Sequence, residues 1–381
     1  MKINHILKGS ILGMAFFALI GCEDADYQPI ENLLYINEAA SDNKFTQQTE
    51  TLTITGKTTT SLTVRLAQAI DRDVHITLGI APKYADAYNS ENGTSYTIIP
   101  EQYLTFTTET TIAAGQIASS PVVLTIDEFS TDNGEAYCIP LEIVSSDAPV
   151  ATTKTSSHIL YLLTKPLLQK VPEMTASTLP AGVGNWGIST SEWTLEGWIW
   201  MSAFPINNQA FWNAAVSQGT EIYCRFGDAA VPFNQIQIKT GGSEMQSNTV
   251  FTPETWYHVA CTYGNNTLTL YVNGALDNSK EIEVANYVID NLQLCSSGSY
   301  WKCNGRQAQI RFWRKALSQN AIVDAMNRTV PADSEGLFGY WKLDEGAGSV
   351  FHDSTSNGFD LTCEKAPVWS EVGVNFSAPN N

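Results

Sequence analysis

The chain has 381 residues, more than one ordinary hydrophobic core organises, so two domains are expected. Charged residues make up only 16% of it, while Thr, Ser, Asn and Gly are frequent and helical periodicity is nearly absent, which points to an all-β protein. A formal charge of −18 argues against nucleic acid and anionic lipid as partners, since both need a basic surface, and makes a neutral ligand the easier case.

At the start, Lys2 and Lys8 form a short basic region ahead of the apolar run from Ile11 to Ile20, which is too short to span a bilayer comfortably. Leu19-Ile20-Gly21-Cys22 follows and resembles a lipobox, so residues 1–22 read as a lipoprotein signal peptide with Cys22 as the lipidated residue. An ordinary signal peptide or a short membrane helix is the plainer alternative. Glu23-Asp24-Ala25-Asp26 resembles the signal that sends Bacteroidetes lipoproteins to the outer face of the outer membrane, which implies a lipid-anchored, cell-surface location. Of seven cysteines, lipidation of Cys22 leaves Cys138, Cys224, Cys261, Cys295, Cys303 and Cys363. An oxidising compartment permits disulfides, with Cys295 and Cys303 the first pair to test; six buried free thiols are the alternative. There is no CxxC pair to hold a structural zinc.

Residues 31–164 alternate apolar and polar side chains in short runs: Leu33 to Asn37, Thr49 to Thr55, Ser61 to Ala67 and Val74 to Ile80. Pro82 to Glu91 breaks the alternation, predicting a short helix opened by Pro82 and closed near Asn92-Gly93. Further strands are expected at Tyr96 to Ile99, Tyr103 to Phe106, Thr110 to Ile112, Val122 to Ile126, Ala136 to Val144 and His158 to Leu163, together an immunoglobulin-like sandwich. The strings YADAYNSENGTSYTIIPEQYLTF, TIAAGQ and AYCIPLEIV resemble domain of unknown function 1735. That resemblance implies a spacer or platform carried by Bacteroidetes surface lipoproteins.

Residues 165–180 contain Pro166, Pro172 and Pro180 without a period and read as a linker to a second domain at 181–377. Strands are expected there at Val183 to Ser189, Thr194 to Met201, Ala210 to Gln218, Glu221 to Gly227, Phe233 to Thr240 and Asn248 to Phe251. The clearest stretch is Thr255 to Gly274, TWYHVACTYGNNTLTLYVNG, two strands around a polar turn that close on Asn273-Gly274. Beyond it come Leu292 to Cys295, Ala308 to Trp313, a helix from Ser318 to about Asn327, Gly339 to Leu343, Phe359 to Thr362 and Gly373 to Phe376. The pattern W-x-H-V-A-x-x-Y…L-x-L-Y-V-N-G resembles the laminin-G-like jelly roll of the concanavalin A-like lectin/glucanase class. IRFWRKALSQNAI and GLFGYWKLDEGAGSVFHDSTSNGFDL fit the same family in the same order. The resemblance suggests sugar recognition, but function belongs to a site and not to a fold.

Ten tryptophans invite a carbohydrate site, because sugar rings pack their C–H faces on indole. Trp198, Trp256, Trp313 and Trp341 fall within strand motifs and read as core. Trp186, Trp212, Tyr300 and Trp301 sit in loop contexts flanked by Asn207, Asn208, Asn213, Lys302, Asn304 and Arg306, stacking planes beside hydrogen-bonding groups. Trp301, Tyr300, Trp212, Trp186, Asn304, Arg306 and Asn213 are therefore the expected glycan-binding residues, with the Tyr300-Trp301 loop foremost.

No catalytic residue is assigned. The E-x-D-x-x-E strand of the fold's glucanases is missing, and Glu281-Ile282-Glu283 lacks a third acid. His75, His158, His258 and His352 are scattered, with no Ser/His/Asp arrangement or HExxH. Where relatives place calcium-binding acids, this chain has Gln307-Ala308-Gln309-Ile310; no metal is expected, with calcium near Asp344, Glu345, Asp353 and Asp360 as a minority alternative. The expected function is a non-catalytic, surface-anchored glycan-binding lipoprotein, beside an outer-membrane glycan transporter and surface glycosidases. The alternatives are a protein-binding adhesin or scaffold module and, behind it, a glycoside hydrolase or lyase.

Overall fold

The computed structural model describes residues 31–39, 49–131, 134–214 and 221–377. The signal segment, Cys22 and the acidic cluster after it lie outside the described residues.

In the first domain, strict alternation sets which side chains go inside. Along Val74–Ile80 the buried Val74, Ile76 and Leu78 alternate with His75 and Thr77. This strand lies in a six-stranded sheet ordered Thr49–Thr53, His158–Thr164, Tyr137–Ser146, Val74–Ile80 and Glu109–Ile112, with Thr97–Ile98 beside Tyr137–Ser146. Two three-stranded sheets, built around Leu33–Ile36 and Val122–Ile126, complete an immunoglobulin-like sandwich over Leu34, Ile36, Leu62, Val64, Leu124, Leu141 and Tyr161. The helix Pro82–Asn92 begins on a proline and ends on Gly93 at φ 68°, whose N–H reaches Asn89 O at 2.8 Å. Its Ala85 packs with Tyr96, Cys138, Leu160 and Leu162 on the far side of the six-stranded sheet.

The second domain is a jelly roll of two eight-stranded sheets. One, here the proximal sheet, runs Ala275–Glu281, Thr267–Val272, Trp256–Gly264, Trp193–Met201, Gly305–Trp313, Pro172–Met174 and Val368–Trp369, with Leu337–Trp341 beside Gly305–Trp313. The other, the distal sheet, runs Ser243–Gln246, Ile236–Thr240, Ile222–Phe226, Gln209–Ala214, Gln293–Leu294, Ala181–Gly182, Leu361–Thr362 and Val350–Phe351. Between them lies a core that includes Trp193, Trp212, Phe226, Phe251, Tyr263, Trp301 and Trp341. The central hairpin forms as its residues dictate: Gly264 pairs with Thr267 around Asn265 and Asn266, at φ 48° and 58°, a turn whose twist matches the strands. Asn273 and Gly274, at φ 50° and 76°, repeat the device one strand later.

Several local expectations are corrected. Val183 to Ser189 is not one strand, because Gly184 and Gly187 at φ 89° and 61° break the extended chain between Ala181–Gly182 and Ile188–Thr190. Asn248 to Phe251 is a loop, and the strand lies earlier, at Ser243–Gln246, after a Gly241-Gly242 turn. Ala275–Glu281 is a strand that polar composition hid, since it is the proximal sheet's edge and its burial pattern is largely exposed. The stretch read as a linker supplies Leu168–Gln169 and Pro172–Met174, which pair with Val374–Asn375 and with Gly305–Trp313. Cys138, Cys224, Cys261, Cys295, Cys303 and Cys363 are all buried free thiols, so Cys295 and Cys303 are not bridged.

The helix Gln319–Ala325, capped by Ser318 accepting from the Ala321 N–H, lies over the outside of the proximal sheet. Trp198 Nε1 donates to Met326 O at 2.7 Å and Arg311 Nη1 to Ala325 O at 3.0 Å. The first domain docks on this helix and the loop after it: Asn320 donates to Asn92 Oδ1 at 3.0 Å, and Thr329 Oγ1 to Thr131 O at 2.8 Å. The distal sheet therefore turns its outer face away from the first domain. Among the described residues, no helix is long and apolar enough to cross a membrane.

Candidate functional site

Half of the expected aromatic site is core. Trp212 is 0% and Trp301 1% exposed: Trp212 follows a register shift that turns it inward, where Nε1 donates to Gln307 at 2.8 Å, and Trp301 folds back to lie against Gly305. Neither offers a face to a sugar. Trp186 is half-buried, stacked on Phe359 with ring centroids 4.5 Å apart. Tyr300 alone of the four is open, at 44%. Asn304 and Arg306 are drawn to the proximal sheet's outer side by Glu173, at 2.9 and 2.7 Å, and Arg306 covers Trp200. Asn213 stays on the distal sheet's outer face, paired with Tyr223 and Gln293.

Trp198, Trp256, Trp313 and Trp341 are buried, as their strand positions imply. Only Trp341 lies between the sheets; Trp198 and Trp256 pack against Phe376 and Val171 on the proximal sheet's outside, and Trp313 packs under the helix with Tyr340 and Val330.

The structure assembles a different set of polar groups. Along Ile222–Phe226 and Ile236–Thr240 the inward members are Ile222, Cys224, Phe226, Ile236 and Ile238, so Tyr223, Arg225, Gln237 and Lys239 point outward. Register sets them in two cross-strand rows, Gln293–Asn213–Tyr223–Lys239–Glu244 and Arg225–Gln237–Gln246. Arg225 is the hub: Nη1 donates to Asn208 Oδ1 at 2.7 Å, Nε to Gln237 Oε1 at 2.9 Å, and Nη2 reaches Asp228 Oδ2 at 2.6 Å. Tyr223 OH donates to Asn208 Oδ1 at 3.1 Å, its ring 5.4 Å from the guanidinium. Gln237 Nε2 donates to Asp228 at 3.2 Å and Glu244 at 3.0 Å. Each side chain is held by another, so the array is rigid before any ligand arrives. Burial tends to raise the Asp228 carboxyl, but the Ala229 N–H and Arg225 hold it below its ordinary value, so it stays ionised near neutrality.

Two open aromatics flank this face at one end. Phe233 is 45% exposed beside Gly227, where a Cβ would sit 3.0 Å from the backbone of both Phe233 and Asn207. Tyr300 lies in the loop tied to the same end by Ser296 N–H to Ala210 O at 3.0 Å and Lys302 N–H to Gln209 Oε1 at 3.3 Å. Sequence reading passed over Tyr223, Arg225 and Gln237 because their strands look like ordinary alternation. That alternation, read for its outward members, was the available signal.

The final loop uses its acids on its own backbone. Asp353 accepts from the N–H groups of Tyr340, Thr355 and Phe359, each at 3.0 Å, and Asp360 accepts from Asp353 N–H at 2.8 Å. Among the described residues, no group of three His, Cys, Asp or Glu side chains is placed to hold a metal ion. Glu281 and Glu283 are both exposed on either side of buried Ile282.

A two-domain, all-β protein with an immunoglobulin-like sandwich and a jelly roll is what the fold defines. Residues 175–323 match the concanavalin A-like lectin/glucanases superfamily, and residues 28–150 match a family of N-terminal domains. The C-terminal domain of this chain is thus similar to the concanavalin A-like lectins in sequence as well as in its jelly-roll fold. No curated protein matches the sequence. Among solved structures, it is similar to a candidate carbohydrate-binding protein from Bacteroides ovatus, at 20% identity and a TM-score of 0.57, covering 88% of this chain and 99% of the other. It is also similar to domain 4 of an extracellular arabinanase from Geobacillus stearothermophilus in complex with arabinotriose, at 12% identity and a TM-score of 0.33, covering 38% and 71%. A multidomain protein from Bacteroides ovatus that includes domain of unknown function 1735 is similar at 10% identity and a TM-score of 0.30, covering 80% and 99%.

Proposed function

We propose that this protein is a non-catalytic glycan-binding lipoprotein of the cell surface. The observation that carries the reading is the outward face of the distal sheet, where Asn208, Tyr223, Arg225, Asp228 and Gln237 form one preorganised polar array flanked by Phe233 and Tyr300. Sugar hydroxyls both donate and accept, and this array offers both kinds of partner, with aromatic surface for C–H faces at its edge. An ionised Asp228 accepts hydrogen bonds from sugar hydroxyls and, having no proton to give a leaving group, does not suit the general-acid role in hydrolysis. In this proposal lipid at Cys22 anchors the chain, the first domain is the spacer, and the distal face is presented outward to capture oligosaccharide for a transporter and glycosidases.

A glycan array probed with the full chain in detergent micelles tests it. Saturable binding to a defined glycan, weakened tenfold or more by Tyr223→Ala and by Arg225→Ala, is the expected result. An array that stays blank, or binding indifferent to both substitutions, overturns the distal-face reading; capture of a protein partner on that face would favour the scaffold alternative instead.

A further inference from the structure

The domain junction holds two cavities, on either side of Arg328. One, of about 370 Å³, is lined by Lys165, Gln169, Gln309, Lys342 and Asp344 among others, with no aromatic among the described residues of its wall. The other, of about 360 Å³, differs in kind. Trp313, Leu317, Val330 and Pro331 give it an apolar side, and both domains supply its polar rim, Thr94 and Ser95 from the first and Asp324, Ser334 and Glu335 from the second. Two cations, Lys315 and Arg328, face two anions, Asp324 and Glu335, so the lining carries no net charge. Lys315 Nζ lies 5.3 Å from the Trp313 ring centroid, its stem running over an indole that is itself buried. Tyr96 OH donates to Asp324 Oδ1 at 2.6 Å and Asp324 holds Arg328 at 2.6 Å, so the carboxylate in this wall is fixed in place.

We propose that this second cavity is a binding site for a single neutral sugar residue. Small-molecule sites favour domain interfaces, start at about 300 Å³, and combine an apolar wall with a few fixed polar groups. A neutral polyol suits a wall with balanced charges, because an ionic ligand would leave one sign in excess in a partly desolvated space. Leu317 and Pro331, both only half-buried, meet the ring's C–H face, and Asp324, Ser95 and Ser334 meet its hydroxyls. A bound sugar would touch both domains and hold them together more tightly. Only the choice of probe rests on the glycan reading above; the site is separate from the distal face.

Isothermal titration of the full chain with mannose, galactose and N-acetylglucosamine, and with their methyl glycosides, tests the proposal. Ser95→Trp and Ala321→Phe fill the cavity from opposite domains, and Tyr223→Ala serves as the distal-face control. The expected result is that the Tyr223→Ala chain, with its distal face disabled, still binds at least one of these sugars one-to-one, and that adding either filling substitution to it weakens this binding tenfold or more. Binding of a methyl glycoside identifies a chain-terminal residue as ligand, and binding of the free sugar alone identifies a monosaccharide; both support the site. No binding of any of these sugars, binding by the Tyr223→Ala chain that survives both filling substitutions, or binding lost with Tyr223→Ala alone overturns it. The last of these would leave the distal-face function standing.

Discussion

The Tyr96 hydroxyl and the Asp324 carboxylate, one from each domain, meet at 2.6 Å, and Arg328 completes the contact from the other oxygen of Asp324 at 2.6 Å. Arg328 also lies 5.7 Å from the Tyr96 ring centroid. Tyr96→Phe keeps the ring and removes only the donor to a nearly buried carboxylate. We expect it to weaken the domain junction by about 1.5–3 kcal/mol, the range for a hydrogen bond to a charged group. Calorimetry should show one thermal transition separating into two, and an unchanged single transition would count against a coupled junction.

Glu196 and Arg311 are both 0% exposed and lie 3.5 Å apart on the proximal sheet, with Trp313 Nε1 donating to Glu196 at 3.0 Å. Burial pushes the Glu196 carboxyl up, and Arg311 opposes that shift. Glu196→Gln leaves a guanidinium buried without its counter-charge, a loss of about 3–5 kcal/mol. Denaturant unfolding should find Glu196→Gln less stable than an Arg311→Met, Glu196→Gln double variant; the reverse order would show that the pair is not coupled.

His258 is buried beside Glu196, at 3.6 Å, and Arg311, and burial, helped by Arg311, pulls its imidazole from 6.5 down to about 3. Between these values the unfolded chain takes up a proton that the folded one refuses, so this group makes stability fall as pH falls through that window. Glu196, with its carboxyl raised, acts in the opposite sense. Urea unfolding from pH 7 to pH 4 should show a slope reduced in His258→Gln by up to about 1.4 kcal/mol per pH unit, the effect of one proton. Parallel slopes in the two proteins would remove His258 from the acid response.

Tyr300 and Trp301 are neighbours with opposite fates. Trp301→Ala empties core volume and should cost about 3–5 kcal/mol of stability. Tyr300→Ala changes an exposed loop residue and should stay within about 0.5 kcal/mol. A loss of glycan binding in Trp301→Ala would thus report unfolding, whereas the same loss in Tyr300→Ala at unchanged melting temperature would place the loop at the site.

The fold was largely legible because alternation, Asn-rich turns and a Pro-opened helix act locally. Asn265-Asn266 and Asn273-Gly274 need positive φ wherever the strands go, and the chain has it there. What escaped was decided by tertiary partners. Ala275–Glu281 is polar because it is an edge, and Pro172–Met174 becomes a strand only because Gly305–Trp313 and Val368–Trp369 lie on its two sides. Two of the expected site residues were misplaced for a related reason. Trp212 and Trp301 look exposed beside polar neighbours, yet a register shift after Ala210 and the absence of a side chain at Gly305 admit both indoles to the interior. Sequence shows which residues are large and flat, but not which sheet face they choose.

Leu168 pairs with Asn375, and Phe376 N–H donates to Leu167 O at 2.7 Å, so the strands that enter and leave the jelly roll lie side by side. A domain with adjoining doorways behaves as a cartridge: it can be lifted from one architecture and set into another without re-routing the chain around it. In this chain that doorway flanks the sheet nearest the first domain, so the opposite broad surface is the one left pointing outward.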